Sequence, residues 1–271
     1  MKIIHTQAFN SIIKMIIKVF IVILILTISQ ASLADATLSY KTSDGTLDLL
    51  LKNKQILVKN IDRDTDLLFN QTANNVIVIQ HAQKSYSLLD EAELNNINNQ
   101  ISGLQSAITG NLSAEQHDQL NQILGGALGS QKQKQASVYS LKQAGGAQVG
   151  NFVCQQSQVL KDNQGAGSVC AASAKQLNLN QNDFSTLMAL QAFALKAGDI
   201  LGESVSSFTK VEIPNFNQVN LFEFLIYSKL EEQPEGHFHL QKIDTSVVNA
   251  NFSVPSNYKP QKLVSASNLI Q

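Results

Sequence analysis

The chain has two cysteines, and they bracket one short stretch, Cys154 to Cys170 in VCQQSQVLKDNQGAGSVC. Such a pair can exchange electrons as a dithiol, supply half of a metal site, or cross-link the fold. Redox work favours a C-x-x-C spacing or a cation beside the thiol, and neither is present. Zinc needs two further ligands, and none stands nearby in sequence. The histidines raise a second question. His237 and His239 form an H-x-H on a predicted strand, where alternation sends both to one face, with His81 as a candidate third ligand. A chelating site needs three or four ligands, so the simpler reading places both on a solvent face beside Glu235. A metal-dependent activity centred on His237 and His239 is kept as the most distant alternative. Asp48, Asp62, Asp64 and Asp66 carry charge suited to calcium, but D-R-D-T-D lacks the downstream Gly and Glu of an EF-hand loop and reads as a solvated connector. Neither H-E-x-x-H nor G-x-S-x-G occurs. Gly145-Gly146 and Gly165-x-Gly167 lead into no helix and read as turns. The expectation is a non-catalytic protein with no metal and no cofactor.

The N-terminus decides the cysteine chemistry. Lys2, Lys14 and Lys18 precede an almost wholly apolar run, Val19 to Ile28, and the small-residue stretch ASLADA follows. That is the layout of a secretory signal peptide, here residues 1–34. Ser32-Leu33-Ala34 or Ala34-Asp35-Ala36 supplies the cleavage pattern, so the mature chain would start near Asp35 or Thr37. The run is about half of the roughly 20 residues that cross a bilayer. No cysteine marks a lipid-anchoring site, and no later segment reads as a membrane span. The expected location is the periplasm or outside the cell, and there two cysteines form a disulfide. With a turn at Lys161-Asp162-Asn163, strands around Cys154 and Cys170 place the two directly opposite each other, about 4.5–5.5 Å apart. Closing that loop stabilises by about 3 kcal/mol in the chain-entropy model.

The elements that position these residues are mostly short strands. Net charge is −1 and charged residues make up 15% of the chain, so no nucleic-acid partner is indicated. Asn, Gln and Ser must solvate the surface. Ala36–Lys41, Thr46–Lys52, Gln55–Lys59, Leu67–Phe69, Val76–His81 and Lys84–Leu89 follow one another with turn residues and no helix between them, an antiparallel meander. Asp90 caps a helix from Glu91 to Ile108, and Ser113 begins a second. These make a helical, Asn/Gln-rich insertion at about 91–135. Ser137–Leu141 is a strand that Gly145-Gly146 ends. Asn180 and Asp183 open a long helix to about Phe208 in a near capping-box pattern. Val219–Leu230 and Phe238–Val248 close the sheet, joined through Gln233-Pro234-Glu235-Gly236.

This order predicts one α+β domain over 35–271, a strongly curved antiparallel β-sheet (an open half-barrel) with helices packed in its concave side. Four groups together carry a resemblance: the leader, KSYSLLD at Lys84–Asp90, the cysteine hairpin leading into a long helix, and FSVPSNY at Phe252–Tyr258. The chain resembles a family of exported bacterial proteins catalogued as a domain of unknown function, itself similar to the half-barrel periplasmic lipoprotein carriers. The resemblance implies an apolar cavity between sheet and helices.

The long helix is apolar over much of its circumference, as befits a helix that is deeply buried or covers a cavity. Phe184, Leu187, Met188 and Phe193 either fill a core or line that cavity with Phe222, Phe224 and Ile226, while alternation sends Leu221, Leu225 and Tyr227 to the other face. The expected partner is an apolar ligand, a lipid or acyl chain, or a lipoprotein. The alternative is an envelope protein-interaction or assembly module without a small-molecule ligand.

Overall fold

The computed structural model describes residues 35–43, 45–59, 64–109, 138–209, 223–231, 233–246 and 248–262. The expected leader, the second insertion helix from Ser113, and Phe222 lie outside the described residues. Within them the chain is α+β, two helices on one 12-stranded sheet.

Six strands form the first meander: β1 (Asp35–Thr42), β2 (Thr46–Lys52), β3 (Gln55–Lys59), β4 (Thr65–Asn70), β5 (Asn75–Gln80) and β6 (Ser85–Leu89). Their register is set at tight turns. Asn53 and Lys54, with φ of 50° and 62°, join β2 to β3. Positive φ at both central residues gives a two-residue turn whose twist matches that of the strands it joins. A second meander holds β7 (Tyr139–Val149), β8 (Phe152–Lys161), β9 (Gln164–Ala172), β10 (Phe224–Leu230) and β11 (Gln233–Asp244). β11 then pairs antiparallel with β1, Leu38 opposite Ile243, fusing the two meanders in mid-sheet. The last strand, β12 (Lys259–Pro260), runs parallel to β6. The order is β12-β6-β5-β4-β3-β2-β1-β11-β10-β9-β8-β7, and the sheet does not close.

Strand alternation divides the apolar residues between two faces. Leu49, Leu51, Ile56, Val58, Phe69 and Val76 join the main core with Leu38, Ile226 and Leu240. Their neighbours Leu50, Leu57, Leu68, Ile77 and Ile79 form a separate cluster covered by Phe252, Val254 and Tyr258. The FSVPSNY segment is therefore a strap over the second face. His81 fastens it, with Nδ1 2.9 Å from the Tyr258 hydroxyl and Nε2 3.1 Å from Asp66. The strap ends beside the KSYSLLD segment, where Lys259 N–H donates to the Lys84 carbonyl.

Both helices start where their caps require. Asp90 Oδ1 accepts the Glu93 N–H at 2.9 Å and opens α1 (Glu91–Thr109). Asn180 Oδ1 accepts the Asp183 N–H at 3.0 Å and opens α2 (Gln181–Thr209). Such a cap satisfies an N–H that the helix leaves unpaired. α2 packs on α1 and on β2, β3 and β10.

Three local expectations are corrected. Gly145-Gly146 does not end a strand: β7 continues through it, with a register shift between Gln143 and Gly145. Gly165-x-Gly167 lies inside β9, where Gly167 meets the backbone of β10. The chain reverses between the paired Leu230 and Gln233, and Gln233-Pro234-Glu235-Gly236 belongs to β11.

Candidate functional site

The disulfide forms, but not in the expected register. The β8–β9 turn is Asp162-Asn163, and a bulge at Val159/Leu160 shifts the pairing so that Gln156, not Cys154, faces Cys170. Cys154 sits diagonally across from Cys170, with Cα atoms 5.7 Å apart, inside the usual range for a cross-link. Both cysteines are buried in the main core next to Ala172 and Ile226. The cross-link ties β8 to β9, and β9 pairs in turn with β10, one of the strands on which α2 rests.

Between α2 and the sheet lies a groove. Its volume is about 410 Å3, in the range of small-molecule sites. Tyr40, Leu47, Leu49, Phe224 and Phe238 line it from the sheet, and Leu190, Ala194, Leu195 and Gly198 line it from the helix. Its polar groups are few: Thr42, Gln191 and His237. Tyr40 and Phe238 stand edge to face with centroids 5.8 Å apart, an arrangement that aromatic quadrupoles favour. Burial pushes the Tyr40 phenol far above its ordinary pKa, so it stays neutral, and its hydroxyl reaches the Leu225 carbonyl at 3.4 Å.

Gln191 holds the groove's width. Its Nε2 donates to the Glu223 carbonyl at 3.2 Å and its Oε1 accepts the Leu225 N–H at 3.0 Å. One side-chain amide thus pairs with β10 as a neighbouring peptide unit would. Earlier in the same half of the helix, Thr186 donates to Gln71 Oε1 at 2.9 Å, and Gln71 Nε2 donates to Ser185 Oγ at 3.1 Å. Two amide clamps therefore fix the N-terminal half of α2 to the sheet, and the one at Gln191 sits in the groove's wall.

The residues expected to line a cavity divide. Phe184, Leu187, Phe193 and Ile226 are core residues, Leu187 and Ile226 without any exposure, and Phe193 packs on Phe69 at 6.0 Å. Met188 is half-buried against the same core. Among the described members of the set, Phe224 alone borders the groove. Phe224 and Ile226 share the buried face of β10 as alternation requires, whereas Leu225 packs with Tyr139, Val159 and Val169 in a smaller cluster. The residues missed, Tyr40, Leu47, Leu49 and Phe238, sit in ordinary alternating strands, and nothing local distinguishes them from core.

The histidines do not converge. His237 Nε2 donates to the Leu230 carbonyl at 2.7 Å, His239 is exposed, and both ring nitrogens of His81 are engaged with Asp66 and Tyr258. Among the described residues, no three His, Cys, Asp or Glu side chains gather as metal ligands would. Contrary to the reading of the sequence, α2 has a stretch, Gln181–Leu201, long and apolar enough by length and composition to cross a membrane, with a mean hydropathy of 1.2. Comparison with known protein families, with curated proteins and with solved structures finds nothing that matches this chain.

Proposed function

We propose that this protein is an exported, non-catalytic binding protein that holds an apolar ligand, the acyl chain of a lipid or lipoprotein, between α2 and the sheet. The observation that carries the reading is the groove itself: about 410 Å3, bordered by Tyr40, Leu47, Leu49, Leu190, Phe224 and Phe238, with few polar groups. Apolar sites with a small number of placed polar groups are the common form of small-molecule pocket. A half-barrel curl of the sheet around α2 accompanies this reading. The helix touches β2 and β3 on one side and β10 on the other, although β1 and β11 lie between them. Strands β3 and β10 are four spacings apart, about 19 Å along a flat sheet, against a helix roughly 10–12 Å across. The buried disulfide is consistent with an oxidising location.

The test is native mass spectrometry of protein recovered from the periplasm, with organic extraction of what it carries. A reproducible lipid or lipopeptide mass, reduced at least tenfold in Leu190→Asp and in Ala194→Trp, supports the reading. Leu190 is only half-buried and Ala194 is exposed, so these changes act on the groove more than on the fold. A clean apo mass, with no uptake of added fatty acid, overturns it. That outcome would favour an envelope protein-interaction module.

A further inference from the structure

We infer that the chain is cut between Ala34 and Asp35, and that the α-ammonium created on Asp35 completes a buried charge cluster beside α2. The inference rests on the export reading above. Three bonds carry small residues at the first and third positions before the cut, after Ala31, Ala34 and Ala36. The fold speaks against the last, and charge selects the one that puts the new amine on Asp35. β1 begins at Asp35, with Asp35 paired to Lys52 and Ala36 to Leu51. Ala36 has no exposed surface and Asp35 is 6% exposed. Asp35 Oδ2 accepts the Val248 N–H at 3.2 Å. Lys52 Nζ lies 3.8 Å from the same oxygen and donates to the Val248 carbonyl at 3.3 Å.

A cut after Ala36 would delete a core residue and strip the buried Val248 N–H of its acceptor. A cut after Ala34 keeps every one of these contacts. Hydrolysis there adds one water across the Ala34–Asp35 amide. A processing peptidase would leave a carboxylate on Ala34 of the leader and an ammonium on Asp35.

Charge points to the same bond. Asp183, 5% exposed in the first turn of α2, is held by a hydrogen bond from Asn180 Nδ2 at 2.6 Å. Burial raises its pKa most; the Asn180 bond opposes that rise, and the charge of Asp35 adds to it. Asp35 Oδ1 is buried and makes no hydrogen bond with any described residue. Two buried carboxylates thus stand in electrostatic reach of each other, with Lys52 on one oxygen of one of them. Buried charges persist where they are paired. An ammonium on Asp35 lies within bonding reach of that residue's own carboxylate and brings three donors and a positive charge to this spot.

The experiment expresses the full chain in a bacterium, recovers it from the periplasm, and reads its intact mass and N-terminal sequence. A single species beginning at Asp35 is expected. A start at Thr37, or at any other residue, overturns the inference and leaves the export reading standing; an uncut chain overturns both. The charge role is read separately, on chains beginning at Asp35 with a free or an acetylated amine. Acetylation should lower Tm by at least about 3 °C, and Asp183→Asn should shrink that shift by half or more. Equal Tm values for the two amines would overturn the charge role.

Discussion

Gly167→Ala is the sharpest test of how β9 and β10 fit together. Gly167 has φ +150° and faces Leu230 across the β9–β10 ladder. A Cβ there would stand 2.2 Å from the Lys229 carbonyl oxygen and 2.9 Å from Leu230 Cα. Both obstacles are backbone, so no rotamer change relieves them and the two strands must separate. Overpacking of this kind costs about 1–3 kcal/mol, and holding alanine in a glycine conformation adds about 1–3 kcal/mol. Their sum is about 2–6 kcal/mol. For a domain of this size each kcal/mol lowers Tm by about 2–4 °C, so the loss is about 4–24 °C. Gly45→Ala is the internal control, because Gly45 has nearly the same φ, +153°, and nothing within 4 Å of the added carbon. It should show the conformational cost alone. Thermal unfolding followed by circular dichroism measures both, and amide exchange along β10 should quicken only in Gly167→Ala. If the two variants lose the same stability, the close approach of β9 and β10 contributes nothing and the reasoning fails.

Other consequences can be checked in the same preparations. The double variant Cys154→Ala/Cys170→Ala opens a loop of sequence separation 16 and should lose about 3 kcal/mol in urea unfolding, with reductant no longer affecting the midpoint. Gln191→Met leaves the Leu225 N–H and the Glu223 carbonyl without their side-chain partner; a loss of about 1–3 kcal/mol is expected, with faster exchange at the Leu225 amide. Asp244 accepts from Lys242 Nζ at 2.9 Å and from the Ser246 N–H at 3.0 Å. These bonds, that from Lys242 foremost, hold its pKa below the ordinary 3.8. The stability it adds is therefore present above pH 3.8 and lost as pH falls below it. An NMR titration should place its midpoint under that value and return it toward 3.8 in Lys242→Ala.

What the sequence made legible was local. Asp90 and Asn180 announce helix starts because a cap is a contact between residues three apart. The strands from Thr46 to Leu89 follow from alternation and from Asn-rich turns. Where two local signals competed, the sheet decided between them. Gln233-Pro234-Glu235-Gly236 has turn composition, yet Leu230 already pairs with Gln233, so the reversal precedes it. The glycines of β7 and β9 read as breaks, whereas they serve a register shift and a close strand approach. The cysteine register failed by two residues, one from the turn, which is Asp162-Asn163 without Lys161, and one from a bulge at Val159/Leu160 that composition does not reveal. The groove was the least legible feature. Phe184, Leu187 and Phe193 are as apolar as Leu190 and Leu195, and only the crossing of α2 over the sheet decides which of them meets core and which meets open space.

The seam between the two meanders also fixes a timetable. Synthesis runs from the N-terminus, and β1 to β6 can zip together turn by turn as they appear. The inner edge of β1, however, finds its partner only in β11, near the other end of the chain. Until Asp244 has been made, the strand that will stand in mid-sheet is an open edge, with unpaired N–H and C=O groups along its length. An open edge is a template for pairing with another chain. Halting synthesis just before Gln233 would therefore release a molecule that has most of its strands and still lacks the one that seals them, and holding β1 apart from other nascent chains is the problem its cell must solve.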